Sequence, residues 1–169
     1  YFKTIFQRFK VAAKTIKRVA PSGASAVSFG LSEAYAFEEA NHRSYENYYI
    51  IIDRDNLTSS DYQQIQRDIN QNENTRLVFS NVAIEVWLLA YYQRMTSKPV
   101  YSSADNDKNI SALTSYLGEK YEKGNSIQID KIINSATHPI DTAYNNTNSI
   151  RELCFDKQCT NVGVFLQEL

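Results

Sequence analysis

The apolar run at residues 48–52 is followed directly by Asp53, Arg54 and Asp55. A continuous apolar run of this length is typical of a central strand that is buried on both faces of a parallel sheet. In open α/β sheets, ligands bind just beyond the carboxyl ends of the strands. The pattern therefore predicts an α/β fold with a polar site at the end of this strand.

The segments around this run alternate between helix and strand patterns. Apolar residues at helical spacing, with basic residues on the opposite side, predict an amphipathic helix near the start of the chain at Phe2, Ile5, Phe6 and Phe9. We further expect a strand at 15–20, a helix at 32–43 and a helix from Thr58 or Ser59 to about 70. A strand at 76–79 and an apolar helix at 82–92, capped by Ser80 and Asn81, are expected to follow. Such alternation predicts a mostly parallel sheet flanked by helices.

The pattern changes after the polar stretch at residues 98–107, which contains Pro99 and a pair of serines. Helical stripes follow at 110–117, 129–133, 143–155 and 162–169. We therefore expect an α/β portion over residues 1–97 and a mainly helical extension of the same domain over residues 98–169.

Asp53 and Asp55 are the strongest candidates for a metal site. Side chains two apart in an extended segment point the same way, so the two carboxylates are expected to face one point while Arg54 points elsewhere. Hard oxygen donors suit Mg²⁺, with Mn²⁺ as a substitute, and Mg²⁺ commonly uses one or two protein carboxylates together with water and substrate phosphate. The alternative is that Asp53 only caps the loop and that Asp55 is a solvated turn residue.

Glu85 is the only charged residue in the apolar stretch at 82–92. A helix that is apolar on every side is expected to be buried, and a buried carboxylate must be paired, protonated or bound to a metal. If the preceding strand is parallel to the one ending at Asp53, Glu85 lies near Asp53 and Asp55. The alternative is a structural ion pair with Arg54, Arg76 or an N-terminal lysine.

Composition excludes several other classes of protein. A formal net charge of −1 argues against a protein that coats nucleic acid by bulk charge, although a local basic face remains open. No apolar run approaches the roughly 20 residues of a membrane-spanning helix, so we expect no membrane association and a cytoplasmic location. Cys154 and Cys159 support neither a disulfide framework nor a zinc site, and His42 and His138 form no catalytic pattern.

Two motifs, residues 48–55 and 79–89, together resemble the RloB and AbiL group of phage-defence proteins, which carry a Toprim-like fold. In that group an apolar strand ends in D-R-D, and a later string reads S-N-P-x-x-E-x-W-L-L-L-H-F. The matching residues of the second motif are Ser80, Asn81, Glu85, Trp87, Leu88 and Leu89. Val82 stands in place of the proline, Ala90 of a leucine and Tyr91 of the histidine. Residues 159–169 are similar to the group's closing S-T-N-V-x-x-L-V-x-x-L segment.

The resemblance implies a Mg²⁺-dependent nuclease of the Toprim class that acts in abortive defence against phage. Asp53 and Asp55 would hold the metal, Glu85 would complete or orient the catalytic site, and Ser80 and Asn81 would support it. The implied substrate is DNA or RNA, including transfer RNA. An oligomer and a partner protein of a defence complex are also expected.

The resemblance also implies that the glutamate of the first Toprim strand lies upstream of Tyr1, because Tyr1 and Phe2 resemble the end of a T-E-x-x-Y-F segment that follows it. A different class of function remains open: a non-catalytic Toprim-like module that binds a partner or a nucleotide signal within a defence complex. A phosphatase of the haloacid-dehalogenase type is disfavoured, because it needs Thr or Val where Leu57 stands.

Overall fold

The structure is a computed structural model that describes residues 1–9, 23, 25–55 and 57–169. Within these residues it is a mixed α/β protein with eight α-helices and a three-stranded sheet. In chain order the elements are α1 (Phe2–Phe9), α2 (Ala26–Asn41), β1 (Tyr48–Asp53), α3 (Ser59–Asn70), β2 (Thr75–Asn81), α4 (Glu85–Leu89), α5 (Asn106–Leu117), α6 (Ser126–Ile133), α7 (Pro139–Asn146), β3 (Cys159–Thr160) and α8 (Val162–Glu168). Two short 3-10 helices span Ser103–Asp105 and Asn148–Ile150. The strand predicted at residues 15–20 lies outside the described residues.

The chain divides into two compact units. The described residues of the first unit are 1–9, 53–55 and 79–169, and those of the second are 23, 25–52 and 57–78. All the residues of the predicted site belong to the first unit. The boundary predicted between residues 97 and 98 falls inside that unit and stays a prediction.

The sheet has the strand order β1-β2-β3. β1 and β2 run in the same direction, because the backbone N–H of Tyr48 donates to the carbonyl of Asn74 at 2.8 Å and that of Arg54 donates to Ser80 at 3.0 Å. β3 is antiparallel to β2, with Ser80 opposite Thr160. The sheet therefore combines one parallel pair of strands with one antiparallel pair.

Among the described strands, the central position belongs to β2 and not to the apolar run at 48–52, contrary to expectation. β2 lies in the middle of the three strands and is buried at every position from Leu77 to Asn81. β1 is only partly buried, and Ile51 is 41% exposed. Apolar residues of β1 pack within the second unit: Ile50 lies against Gly30 of α2, and the ring of Tyr48 contacts that of Tyr35. These contacts account for the apolar sequence of a strand that is only partly buried.

The second helix begins six residues before the predicted position, at Ala26 instead of Ser32, and ends at Asn41. Gly30 lies inside the helix. A Cβ atom at this position would come within 2.8 Å of the Cδ1 atom of Ile50, so the glycine permits close packing on β1. The predicted helix after Thr58 is confirmed, and Thr58 and Asp61 form a capping box at its start.

The apolar helix predicted at 82–92 is shorter than expected. β2 continues to Asn81, and α4 includes only Glu85–Leu89. Neither Ser80 nor Asn81 caps it, and the position before its first residue is occupied by Ile84. Tertiary contacts with Thr160 and with the loop at 154–157 fix Ser80 and Asn81 in the strand instead.

Beyond residue 98, the described chain contains α5 to α8 and the short strand β3. The helix predicted at 162–169 is confirmed as α8, and the amphipathic helix at the start of the chain is confirmed as α1. The helix predicted at 143–155 is wrong in its bounds, because α7 ends at Asn146 and only a 3-10 turn follows. The sequence showed no signal for β3, which has only two residues.

Candidate acidic site

Asp53 and Asp55 lie where the chain leaves β1. Asp53 is the last residue of the strand, and Asp55 lies in a turn with a φ of 34°, a left-handed conformation that aspartate tolerates better than most residues. The backbone N–H of Asp55 donates to the carbonyl of Val82 at 3.3 Å, which places the turn beside the segment that follows β2. A turn, and not the alternation of an extended strand, therefore sets the relative positions of the two acids.

The surroundings of Asp53 disfavour its charged form. Part of this side chain remains accessible to solvent, yet burial is the largest cause that raises its pKa, to about 7. The carboxylates of Asp55 and Glu85 raise it further, whereas the ammonium of Lys123 and a hydrogen bond from the backbone N–H of Ile84 lower it. Asp53 thus lies within electrostatic range of both other predicted site acids.

Glu85 is the first residue of α4 and is fully buried, with 0% of its surface exposed. Its carboxylate accepts two hydrogen bonds: Asn106 Nδ2 donates to Oε2 at 3.1 Å, and the Tyr121 hydroxyl donates to Oε1 at 3.1 Å. Both donors are neutral. Within the described part of the chain, Glu85 forms no ion pair with Arg54, Arg76 or any lysine, so the alternative of a structural ion pair receives no support there.

A short network fixes the two donors of Glu85. Asn109 Nδ2 donates to Asn106 Oδ1 at 3.2 Å, which turns the amide nitrogen of Asn106 toward Glu85. Burial, and after it the charge of Glu85, raise the pKa of the Tyr121 phenol, so this hydroxyl stays protonated and acts as a donor. The network holds the carboxylate of Glu85 in one orientation.

Arg54 lies between the two acids in sequence but does not pair with them. Its guanidinium lies over the ring of Phe155 at 4.4 Å, and its side chain is only 8% exposed. Nε and Nη1 are buried and find no hydrogen-bond partner among the described residues. The position of the guanidinium over Phe155 agrees with the expectation that Arg54 points away from Asp53 and Asp55.

Ser80 and Asn81, predicted to support the site, make structural contacts at the end of β2. The hydroxyls of Ser80 and Thr160 are 2.9 Å apart across the β2–β3 pair. Asn81 Nδ2 donates to the carbonyl oxygens of three residues in the loop that leads into β3: Cys154, Phe155 and Lys157. Ser80 and Asn81 therefore fix the carboxyl end of β2, and Asp53 and Asp55 lie beside this end.

No group of three or more acid, histidine or cysteine side chains within the described ranges is arranged to hold a metal ion. Asp53, Asp55 and Glu85 are neighbours electrostatically, but they do not form a ready three-carboxylate ligand set. The donor chemistry still fits Mg²⁺, because this ion commonly takes one or two protein carboxylates and completes its coordination with water and phosphate oxygens.

Sequence reasoning missed three residues of this site: Asn106, Tyr121 and Lys123. Asn106 lies in a polar stretch and Tyr121 is one of twelve tyrosines, so neither has a distinctive local signal. The burial of Glu85 indicated that partners had to exist, but it could not identify them. Their positions depend on how α5 and the following loop pack on α4.

The fold and the site together define a mixed α/β protein with an acidic cluster beside the carboxyl end of a parallel strand pair. The family model described as RloB-like protein matches residues 1–169, so the chain belongs to the RloB-like family. Comparison with curated proteins gives no significant match, and comparison with solved structures gives none either.

None of the helices in the described part of the chain combines the length and the hydrophobicity that a membrane span requires.

Proposed function

We propose that this protein is a Mg²⁺-dependent nuclease with a Toprim-like domain that acts in the cytoplasm in abortive defence against phage. The observation that carries the proposal is the environment of Glu85: a fully buried carboxylate that the described residues hold through two neutral donors, and whose charge, like that of Asp55, raises the pKa of Asp53. Concentrated negative charge of this kind is costly unless a cation offsets it. A divalent ion at Asp53 and Asp55 would supply that charge.

The residues have separate roles in this proposal. Asp53 and Asp55 are the protein ligands of the metal, and Glu85 orients the site through its fixed carboxylate. Bound Mg²⁺ would polarise the scissile phosphate and offset the negative charge that develops during hydrolysis. The substrate is a nucleic acid, either DNA or RNA, and transfer RNA is included among the candidates. A partner protein of a defence complex and an oligomeric assembly belong to the same proposal.

Replacement of Asp53 by Ala in the full-length protein tests the function. Loss of a metal ligand is expected to reduce Mg²⁺-dependent cleavage of DNA or RNA about a thousandfold or more, since a metal interaction contributes several kcal/mol to transition-state stabilisation. Protection of cells from phage should be lost as well. The melting temperature should not fall, because removal of one acid from a group of like charges relieves repulsion.

Asp107→Ala is the matched control, since Asp107 is an exposed acid of α5 in the same unit. It should cleave and protect like the wild type. If Asp53→Ala still protects cells from phage, the nuclease proposal is wrong, and the non-catalytic binding module takes its place.

A further inference from the structure

Cys154 and Cys159 lie in contact at the loop that leads into β3. Cys154 is partly buried, and Cys159 is the first residue of β3 and is only 1% exposed. The backbone N–H of Cys154 donates to Sγ of Cys159 at 3.2 Å, and the Cys159 thiol donates to the carbonyl of Cys154 at 3.1 Å. The buried sulfur therefore touches the backbone of the other cysteine on both sides of its Cα atom.

This contact brings the two cysteines close to the spacing of a disulfide. The nitrogen of Cys154 is one bond from its Cα atom, and the sulfur of Cys159 is two bonds from its own Cα atom. The two Cα atoms are therefore close to the range of about 4.4–6.8 Å found across disulfides. Both thiols are free in this structure. Rotation of the Cys154 side chain to another rotamer is the movement that brings its sulfur toward Cys159.

Hydrogen bonds to neighbouring segments keep the two cysteines at this spacing. Asn81 Nδ2 donates to the carbonyl of Cys154 at 3.1 Å, and the backbone of Asn81 lies opposite Cys159 in the β2–β3 pair. The backbone N–H of Gln158 donates to the carbonyl of Lys98 at 2.8 Å. Because the loop is already held at its two ends, a bond between the sulfurs needs little further ordering of the chain.

The two thiols differ in their access to a reactant. Cys159 is buried, and burial is the largest cause that raises the pKa of its thiol, to about 11. The backbone N–H groups of Cys154 and Asn81 lower this pKa in part. Cys154 is the more accessible of the two. Since a reactant from solution reaches the accessible sulfur first, Cys154 is the attacking cysteine and Cys159 is the resolving one.

We propose that Cys154 and Cys159 form a reversible disulfide by exchange with a low-molecular-weight disulfide such as oxidised glutathione. The Cys154 thiolate attacks one sulfur of the oxidant, the S–S bond of the oxidant breaks, and the leaving thiolate takes up the proton that Cys154 lost. The sulfur of Cys159 then gives up its proton and attacks the sulfur of Cys154, and a second thiol leaves with that proton. The cysteines lose two electrons, and the oxidant is reduced to two thiols.

The disulfide closes the loop that carries Phe155. The guanidinium of Arg54 lies over this ring at 4.4 Å, and Arg54 stands between Asp53 and Asp55 in the sequence. The modified loop is thus in contact with the residue that separates the two candidate metal ligands. Formation of the disulfide does not depend on the proposed nuclease activity.

Peptide mapping of the full-length protein tests the disulfide. Protein that has been reduced and freed of reductant is incubated at pH 8 in several ratios of reduced to oxidised glutathione. Free thiols are then blocked with N-ethylmaleimide, and the denatured protein is digested with trypsin. Cleavage after Arg151 and Lys157 places the cysteines in two peptides, residues 152–157 and a peptide that begins at Gln158. Only a disulfide keeps these two peptides together.

In the most oxidising buffer, most of the material should be one joined species, about 2 Da lighter than the two reduced peptides together, and dithiothreitol should separate it. Cys159→Ser should carry one glutathione at Cys154, because the mixed disulfide then has no resolving thiol. Cys154→Ser, the matched control, should carry at least about tenfold less glutathione, because the remaining thiol is buried. A non-reducing gel should show single chains.

Separate recovery of the two wild-type peptides after equilibration, with free or glutathione-bearing cysteines, would overturn the inference. Joined peptides that occur only in chains cross-linked to each other on the non-reducing gel would overturn it as well. The wild-type map is sufficient for both outcomes, so poor folding of a serine variant leaves the test intact.

Discussion

Glu85 and Asp53 show how single side chains at this site depend on their neighbours. Glu85 is fully buried, and its carboxylate accepts hydrogen bonds from an amide and a phenol. The negative charges of Glu85 and Asp55 raise the pKa of Asp53. Neutral donors orient a buried carboxylate but do not cancel its charge. Under the proposed function, a cation bound at Asp53 and Asp55 would offset part of this negative charge.

Tyr121→Phe should reduce the free energy of unfolding by about 1–3 kcal/mol, because the buried carboxylate of Glu85 loses one of its two donors. Urea unfolding measures the change. Tyr116→Phe is the matched control: Tyr116 is 46% exposed and its hydroxyl bonds to Gln93, so the expected change stays within about 0.5 kcal/mol. Equal effects of the two substitutions would show that the Tyr121–Glu85 contact does not stabilise the fold.

The raised pKa of Asp53 makes stability depend on pH in the absence of metal. Its ordinary value is 3.8 and its value in the folded protein is about 7, so the folded state binds the proton more tightly. This contribution to stability is complete below about pH 3.8 and is lost as the pH rises through about 7. Burial is the first cause, and the neighbouring carboxylates add to it.

Asp53→Asn should remove this dependence, since the amide has no proton to lose. Between pH 5 and pH 8 in EDTA, unfolding in urea should show a larger decrease in stability for the wild type than for Asp53→Asn. Parallel pH profiles for the two proteins would contradict the raised pKa.

At the scale of elements, tight packing and capping decide where helices begin and how they contact each other. Gly163 of α8 faces the ring of Trp87 in α4, and the capping box of Thr58 and Asp61 starts α3. Both features follow from the side chains at single positions. Each can therefore be tested by one substitution.

Gly163→Ala should destabilise the protein by about 1–3 kcal/mol through overpacking. The added Cβ would lie 2.8 Å from Cζ3 of Trp87, which is fully buried, and 3.1 Å from Cδ2 of Tyr144. Gln167→Ala on the exposed side of the same helix is the control and should change stability by less than about 0.5 kcal/mol. A wild-type melting temperature for Gly163→Ala would mean that α8 and α4 do not pack as described.

Thr58→Ala should cost about 1 kcal/mol, because the side chain accepts a hydrogen bond from the backbone N–H of Asp61 at 3.1 Å. Thr58→Ser retains a hydroxyl acceptor and should stay close to the wild type. Urea unfolding compares the three proteins. If the alanine and serine variants are equally stable, the hydrogen bond of the Thr58 side chain does not contribute to the free energy of unfolding.

For the whole molecule, local sequence signals predicted part of the fold. The apolar run at 48–52 predicted β1, and the N-cap at Thr58 predicted the start of α3, because each element depends on residues close in sequence. The length of α4 could not be predicted in this way, since Asn81 is held in β2 by carbonyl oxygens of residues 73 to 76 positions later in the chain. Strand order and the two-residue strand β3 likewise depend on contacts far apart in sequence.

The residues of the candidate site likewise fall into those that the sequence predicted and those that it did not. Asp53, Asp55 and Glu85 were identified because acids are unusual directly after or within apolar segments. Tyr121 and Lys123 were missed because their importance arises only when the loop after α5 packs beside Glu85. A sequence thus identifies acids that end or interrupt an apolar segment more readily than the neutral and basic residues that complete their environment.

Direct measurement of Mg²⁺ binding tests the central claim that Asp53 and Asp55 form a metal site. Isothermal titration of the full-length wild type at pH 8 should show one Mg²⁺ site, and the Asp53→Ala, Asp55→Ala double variant should show none, while Asp107→Ala should bind like the wild type. Equal Mg²⁺ binding by the wild type and the double variant, or no binding by the wild type at millimolar Mg²⁺, would contradict the claim.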